Sequence, residues 1–199
     1  MSLRRKSVIL LLSIAAALAA DKKDARFAPG PAASYPNKET QDGVTVAALA
    51  YETAEQARTA FGKLNPYEHG VLPVLLIIHN DSTHALNIEQ LQVEYVRDDR
   101  QRIEATPAKD VPYLHGPDRP KPSASPIPRR ARKNPLDAWE IDGRAFAARM
   151  LPRGEAAHGF FYFQTKHRGG SRLYVTGLRQ AGSNKELFYF EINLDKPAR

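Results

Sequence analysis

The side chains best suited to metal or acid–base chemistry in this 199-residue chain are its six histidines, His69, His79, His84, His115, His158 and His167. A helical zinc motif needs two histidines four residues apart on one face, with a carboxylate close by. No pair here has that spacing. His79 and His84 flank one turn and give the best metal hint, set against the ordinary fate of a turn histidine, which is to be solvated. Asp81, Ser82 and His84 supply the residue types of a hydrolytic triad, but neighbours on a tight turn point in different directions. Gly169-Gly170 lacks the lysine and following helix of a phosphate loop and reads as a hairpin turn. The chain has no cysteine, which excludes thiol catalysis, thiolate metal sites and disulfides. No catalytic residue, metal ligand or cofactor is therefore expected.

The sharpest binding candidate is cationic. Arg129, Arg130, Arg132 and Lys133 stand almost side by side, and guanidinium groups suit bidentate contact with phosphates or carboxylates. This points to an anionic envelope component or an acidic protein as partner. It points away from nucleic acid, since no aromatic residue is interleaved for base stacking. The plain alternative is a solvated charged loop. Phe160, Phe161, Tyr162, Phe163, Tyr174, Phe188, Tyr189 and Phe190 raise a second possibility, a stacking platform for sugars or single strands. The alternation of Phe188, Phe190 and Ile192 instead assigns these residues to a core and leaves Tyr162, Tyr174 and Tyr189 facing outward.

The segments that carry these residues follow from charge and proline. Arg4, Arg5 and Lys6 precede an apolar run from Val8 to Leu18, and Ala17-Leu18-Ala19 has the small-x-small pattern of a cleavage site. Asp21-Lys22-Lys23-Asp24 ends the run short of the ~20 apolar residues a spanning helix needs. Residues 1–19 therefore read as a secretory signal peptide, and the mature chain as exported, periplasmic or extracellular, without a transmembrane span; oligomeric state is left open. Loss of the signal takes the net charge from +7 to +4, with 26 basic and 22 acidic residues left. Residues 20–42 mix proline with charge and read as a flexible lead. Residues 106–135 hold eight of the fifteen prolines and most of the clustered arginine, so they read as a long surface loop inside a single domain spanning 43–196.

Elsewhere the periodicity is β. A strand opens at Val44, and Thr53-Ala54-Glu55-Gln56 is a capping box that starts one short helix, with Gly62 or Asn65-Pro66 to stop it. Residues 73–78 are apolar on both parities, so both faces of that strand are expected to be covered, one by the opposite sheet and the other by the helix. A parity switch at Glu89-Gln90, between Leu86 and Ile88 on one side and Leu91, Val93 and Tyr95 on the other, signals a bulge or a bend between strand pieces. A brief strand is expected near Ile103, and a short helix or irregular cover within 136–150. Aromatic and alternating strands follow over 159–163, 173–176 and 187–194, the last two as a hairpin, with Phe188, Phe190, Ile192 and Leu194 on one face. The fold class is mainly β: an antiparallel sandwich with one short helix.

Phe61-Gly62, Gly70-Val71-Leu72-Pro73-Val74, Asn80, Leu151-Pro152-Arg153-Gly154 and Gly159-Phe160-Phe161-Tyr162-Phe163 together resemble exported bacterial immunoglobulin-like β-sandwich proteins. The resemblance extends in outline from Val44 to Leu194. It implies a strand ending in an asparagine turn, then a Leu-x-Pro-Gly-type turn leading into a Gly-x-x-x-Phe strand. This chain departs by placing Arg153 between proline and glycine, and by the long proline and arginine loop. A resemblance of this kind implies a fold rather than an activity. The function expected is a non-catalytic binding or structural module of the cell envelope; the alternative is a periplasmic hydrolase or metal-dependent enzyme whose site assembles from distant loops.

Overall fold

The computed structural model describes residues 27–114 and 134–195. Residues 1–19, read from the sequence as a signal peptide, His115 and the cationic run Arg129, Arg130, Arg132 and Lys133 lie outside them. The first described strands, β1 (Lys38–Gln41) and β2 (Val44–Ala50), form a hairpin through Asp42-Gly43, both at positive φ. Helix α1 (Ala54–Phe61) begins on the expected capping box, with the Thr53 hydroxyl accepting from the Gln56 N–H and the Gln56 side chain accepting from the Thr53 N–H, and it ends at Gly62. Then come β3 (Leu72–Asn80), β4 (Leu86–Asn87), β5 (Gln92–Val96) and β6 (Arg102–Glu104). Helix α2 (Trp139–Gly143) precedes β7 (Met150–Leu151), β8 (Ala156–Phe163), β9 (Arg172–Thr176), β10 (Arg179–Gln180) and β11 (Phe190–Asn193).

These strands form three antiparallel sheets among the described residues, in the orders β1-β2-β3-β8, β11-β9-β5-β6 and β10-β4-β7. The mainly β sandwich read from the sequence is present, and its centre is β3. Leu72, Val74, Leu76 and Ile78 point into a core shared with Val93, Tyr95, Leu173, Val175, Phe190 and Ile192 of the second four-stranded sheet. Leu75 and Ile77 point the other way, into a second core with Ala57, Ala60 and Phe61 of α1, and with Val111, Leu136 and Ile141. The double-sided apolar run thus has its roof on both sides, with α1 on the outer one. Pro73 is tolerated in this central strand because it sits where β2 is ending, its carbonyl accepting from the Tyr51 N–H at 2.9 Å.

The parity switch after Leu86 is the bend between β4 and β5, which belong to different sheets. Four expectations need correction. Residues 27–42 are no loose lead: Ala32 is buried, Phe27 stands against Tyr51 and Phe160, and β1 pairs with β2. The loop placed at 106–135 gives way at both ends, because Thr106 bridges to Tyr162, a 3-10 turn at Ala108–Tyr113 buries Val111, and Leu136 is buried behind it. Tyr162 faces the outer core, its hydroxyl donating to the Ile141 carbonyl at 2.7 Å. Phe188 is 76% exposed while Leu187 is buried, because the chain is irregular before β11 and regular alternation begins only at Phe190.

Both sides of the sandwich are closed by short crossings. Glu39 accepts from the Glu191 N–H and Gln41 donates to the Tyr189 carbonyl, so side chains of β1 occupy the free edge of β11. On the other side Thr106 donates its N–H to the Tyr162 carbonyl, and Phe146 donates to the Phe160 carbonyl, capping the free edge of β8. Gly159 makes the second crossing possible: a Cβ there would lie 2.3 Å from Cα of Phe146. Gly159→Ala is expected to lower stability by about 3 kcal/mol, as an overpacked interior does, a drop of roughly 6–12 °C in Tm for a domain of this size. Gly169→Ala, at an open position without positive φ, should leave Tm nearly unchanged. Thermal denaturation of the two variants beside the parent checks both.

Candidate functional site

Where the short strand β6 ends, the chain crosses to the edge of β8, and the part of β5 before Glu94 has no partner on that side. The gap is a groove of about 430 Å³ between the two sheets, within the ~300–1,000 Å³ typical of small-ligand sites. Phe160, Phe161 and Tyr162 line it from β8, Thr106 and Pro107 from the crossing segment, Phe146 from the segment that leads to β7, and Leu91 with residues 92–94 of β5 from the other sheet. Phe146 and Phe161 stack at 5.6 Å and 28°. Glu94 and Glu104 both line the groove and stand directly opposite each other in the β5–β6 register. Glu94 holds Arg102 at 2.7 Å.

A second convergence of polar groups lies at the start of β9. The fully buried Tyr95 hydroxyl donates to Ser171 Oγ at 2.7 Å, accepts from the Arg168 N–H at 3.0 Å, and lies 3.1 Å from His167 Nδ1. His167, with 8% of its side chain exposed, places Nε2 3.5 Å from Asp195 Oδ1 and 3.8 Å from Glu52 Oε1. Among the described residues no group of three or more His, Asp or Glu side chains is arranged to hold a metal ion. The arrangement ties four stretches of chain together: the β2–α1 junction, β5, the turn before β9 and the end of β11. Sequence reading missed it because Glu52, Tyr95, His167 and Asp195 are far apart in the chain and follow no spacing rule.

His79 Nδ1 pairs with Asp81 at 3.0 Å, and His84 Nδ1 with the Thr83 hydroxyl at 2.9 Å. Ser82 is bound to Asn80 Oδ1 and the His84 carbonyl, so the triad types do not converge. Gly169-Gly170 is a turn whose Gly170 N–H donates to Asp195. Of the three tyrosines expected to face outward, Tyr174 and Tyr189 do. Their rings meet at 4.9 Å, and the Arg102 guanidinium sits 4.7 Å from the Tyr174 ring, so Tyr174 has neighbours already. Buried Asn80 donates to the carbonyls of His84 and Leu151, and its backbone carbonyl accepts from Gly154 at 2.6 Å.

His158, on the outer face of β8, lies against Phe27 and near Arg144, whose guanidinium sits 5.6 Å from the Phe27 ring. Partial burial holds its imidazole below the ordinary histidine range, and the Arg144 charge adds to the effect. No helix among the described residues is long and apolar enough to cross a membrane.

No family model matches the chain, and no curated protein sequence matches it. Among solved structures, the fold is similar to the crystal structure of a lipoprotein candidate from Bacillus subtilis, at 11% identity and a TM-score of 0.39. The overlap takes in 80% of this chain and 39% of that one, so the chain spans about two-fifths of that protein's length.

Two outcomes follow from the geometry. Tyr95→Phe leaves Ser171, His167 and the Arg168 N–H without their shared partner, and should cost about 1–3 kcal/mol in chemical denaturation. His158 takes up its proton less readily in the folded state than in the unfolded chain. Its contribution is therefore complete above about pH 6.5 and declines as pH falls through the ordinary histidine range. His158→Gln should remove that decline, so the stability curves of parent and variant, measured between pH 5 and 8, should diverge only on the acidic side.

Proposed function

We propose that the protein is an exported, non-catalytic binding module of the bacterial cell envelope, on an immunoglobulin-like variant of the β-sandwich. The observation that carries the reading is the groove between β5 and β8. Its walls are held to its floor by backbone hydrogen bonds, from Thr106 to Tyr162 and between Phe146, Phe160 and Arg144, so it is formed before any ligand arrives. The leader-like residues 1–19 support export. The cationic run supplies a second contact region of opposite sign to the groove's glutamates, suited to an anionic envelope component or an acidic protein.

The enzyme alternative has one observation on its side, the nearly buried His167 between Glu52 and Asp195. Elemental analysis of the purified mature domain separates the two readings. Less than a tenth of an equivalent of transition metal is expected; one equivalent that disappears in His167→Ala would replace binding by metal chemistry.

Replacing Arg129, Arg130, Arg132 and Lys133 by serine should weaken retention on anionic envelope material by about fourfold or more, at roughly 0.2–1 kcal/mol per exposed charge. It should also flatten the salt dependence of retention. Unchanged retention of the serine variant in a pull-down from envelope fractions would remove this segment from the reading.

A further inference from the structure

Arg102, Arg149, Arg172 and Arg179 each pair with a glutamate. Arg144, half-buried at the outer face of β8, forms no ion pair among the described residues, and Asp142, two positions before it, is exposed and forms none either. The Arg144 guanidinium lies 5.6 Å from the centre of the Phe27 ring and 5.8 Å from that of Trp139, and its buried Nε has no hydrogen-bond partner. Ring faces attract a guanidinium but leave its in-plane N–H donors unfilled. The missing element is an acceptor. Trp139 is the one tryptophan of the chain and is 69% exposed. Its ring is nevertheless held in place, since a Cβ on Gly143 would lie 3.0 Å from it, so the indole rests on the last residue of α2. His158 stands beside this pair, kept neutral at pH 7 by partial burial and by the Arg144 charge. The planar fork of one arginine, with no second cation from His158, matches a carboxylate monoanion better than a phosphate dianion.

From this juxtaposition we infer that the outer face of the fold carries a site for a small, flat-bodied organic carboxylate, its two oxygens on the Arg144 guanidinium and its apolar body against the exposed indole of Trp139. The site lies outside both the groove and the cationic run, so it adds a ligand to the binding-module reading without depending on it.

Titration of the purified mature protein with phenylacetate, phenylacetamide and inorganic phosphate at constant ionic strength tests this, read by Trp139 fluorescence and by the single indole N–H signal in NMR. Phenylacetate should saturate with a Kd of ~1 mM, in keeping with its few heavy atoms. The isosteric amide and phosphate should each bind about fivefold or more weakly. Phenylacetate, and not the amide, should also raise the midpoint of the His158 titration towards the ordinary histidine range, because a bound anion cancels the Arg144 charge. Arg144→Gln should bring phenylacetate down to the affinity of the amide. Trp139→Leu, at an exposed position that leaves the fold intact, should weaken both aromatic ligands about threefold in amide NMR. No saturable phenylacetate binding, equal binding of acid and amide, tighter binding of phosphate, or a phenylacetate affinity indifferent to Arg144→Gln and Trp139→Leu would each overturn the inference. Retention on envelope material through residues 129–133 is read separately, so failure here leaves the binding-module reading standing.

Discussion

A strand that is oily on both sides cannot lie on a surface. All nine residues of β3 except His79 are buried, and their alternate side chains enter two cores that do not mix. That single demand fixes the layering: a second sheet on one face, and α1 and α2 with the turns at 32–34 and 108–113 on the other. At ~25 cal/mol per Å² of apolar surface removed from water, two cores on one strand supply by burial what disulfides supply in cysteine-rich small domains. The absence of cysteine and the doubly covered sheet are two sides of one solution.

Layering of this kind leaves sheet edges to be managed, and the groove is a by-product of how that is done. On the β1 side, polar side chains reach across to the edge of β11. On the β8 side the main chain itself crosses twice, once at Thr106 and once at Phe146, and the second crossing needs Gly159 beneath it. Because β6 is only three residues long, the crossings do not fill the space beside β5. A longer β6 would close the gap and pair the remaining edge. The cavity and its rigid walls therefore share a cause, the brevity of one strand.

Much of this architecture was legible in sequence where local chemistry dictates it. The Thr53 capping box placed the start of α1, the double parity of residues 73–78 announced the two cores, and the switch at Glu89-Gln90 marked a bend between strand pieces, which the structure shows to be a change of sheet. The hairpin at Asp42-Gly43 was legible too and was overlooked, since Asp-Gly between strands is a strong hairpin signal; the polar edge strand β1 gives no hydrophobic alternation to draw attention to it. Tyr162 misled for a different reason. Tyrosine is amphipathic, and only the tertiary position of the Ile141 carbonyl decides that its hydroxyl can be buried. Neither the groove nor the cluster around Tyr95 could be read, because both are assembled by contacts across sheets.

Those buried polar ties carry a further consequence for how the fold is specified. Apolar cores favour compactness but tolerate slippage, since one aliphatic neighbour serves nearly as well as another. Asn80 and Tyr95 do not. The Asn80 side chain makes bonds at both its amide nitrogen and its oxygen, reaching the turn that follows β3 and the carbonyl of Leu151 at the end of β7. The Tyr95 hydroxyl likewise joins β5 to the 167–171 turn. A one-residue shift of either strand would bury these groups unpaired, at a cost of ~1–3 kcal/mol each, and would turn the alternate faces outward. Register in this sandwich is thus set by two polar nodes at its ends, and the opposition of Glu94 to Glu104 is inherited from the register of β5 that Tyr95 fixes.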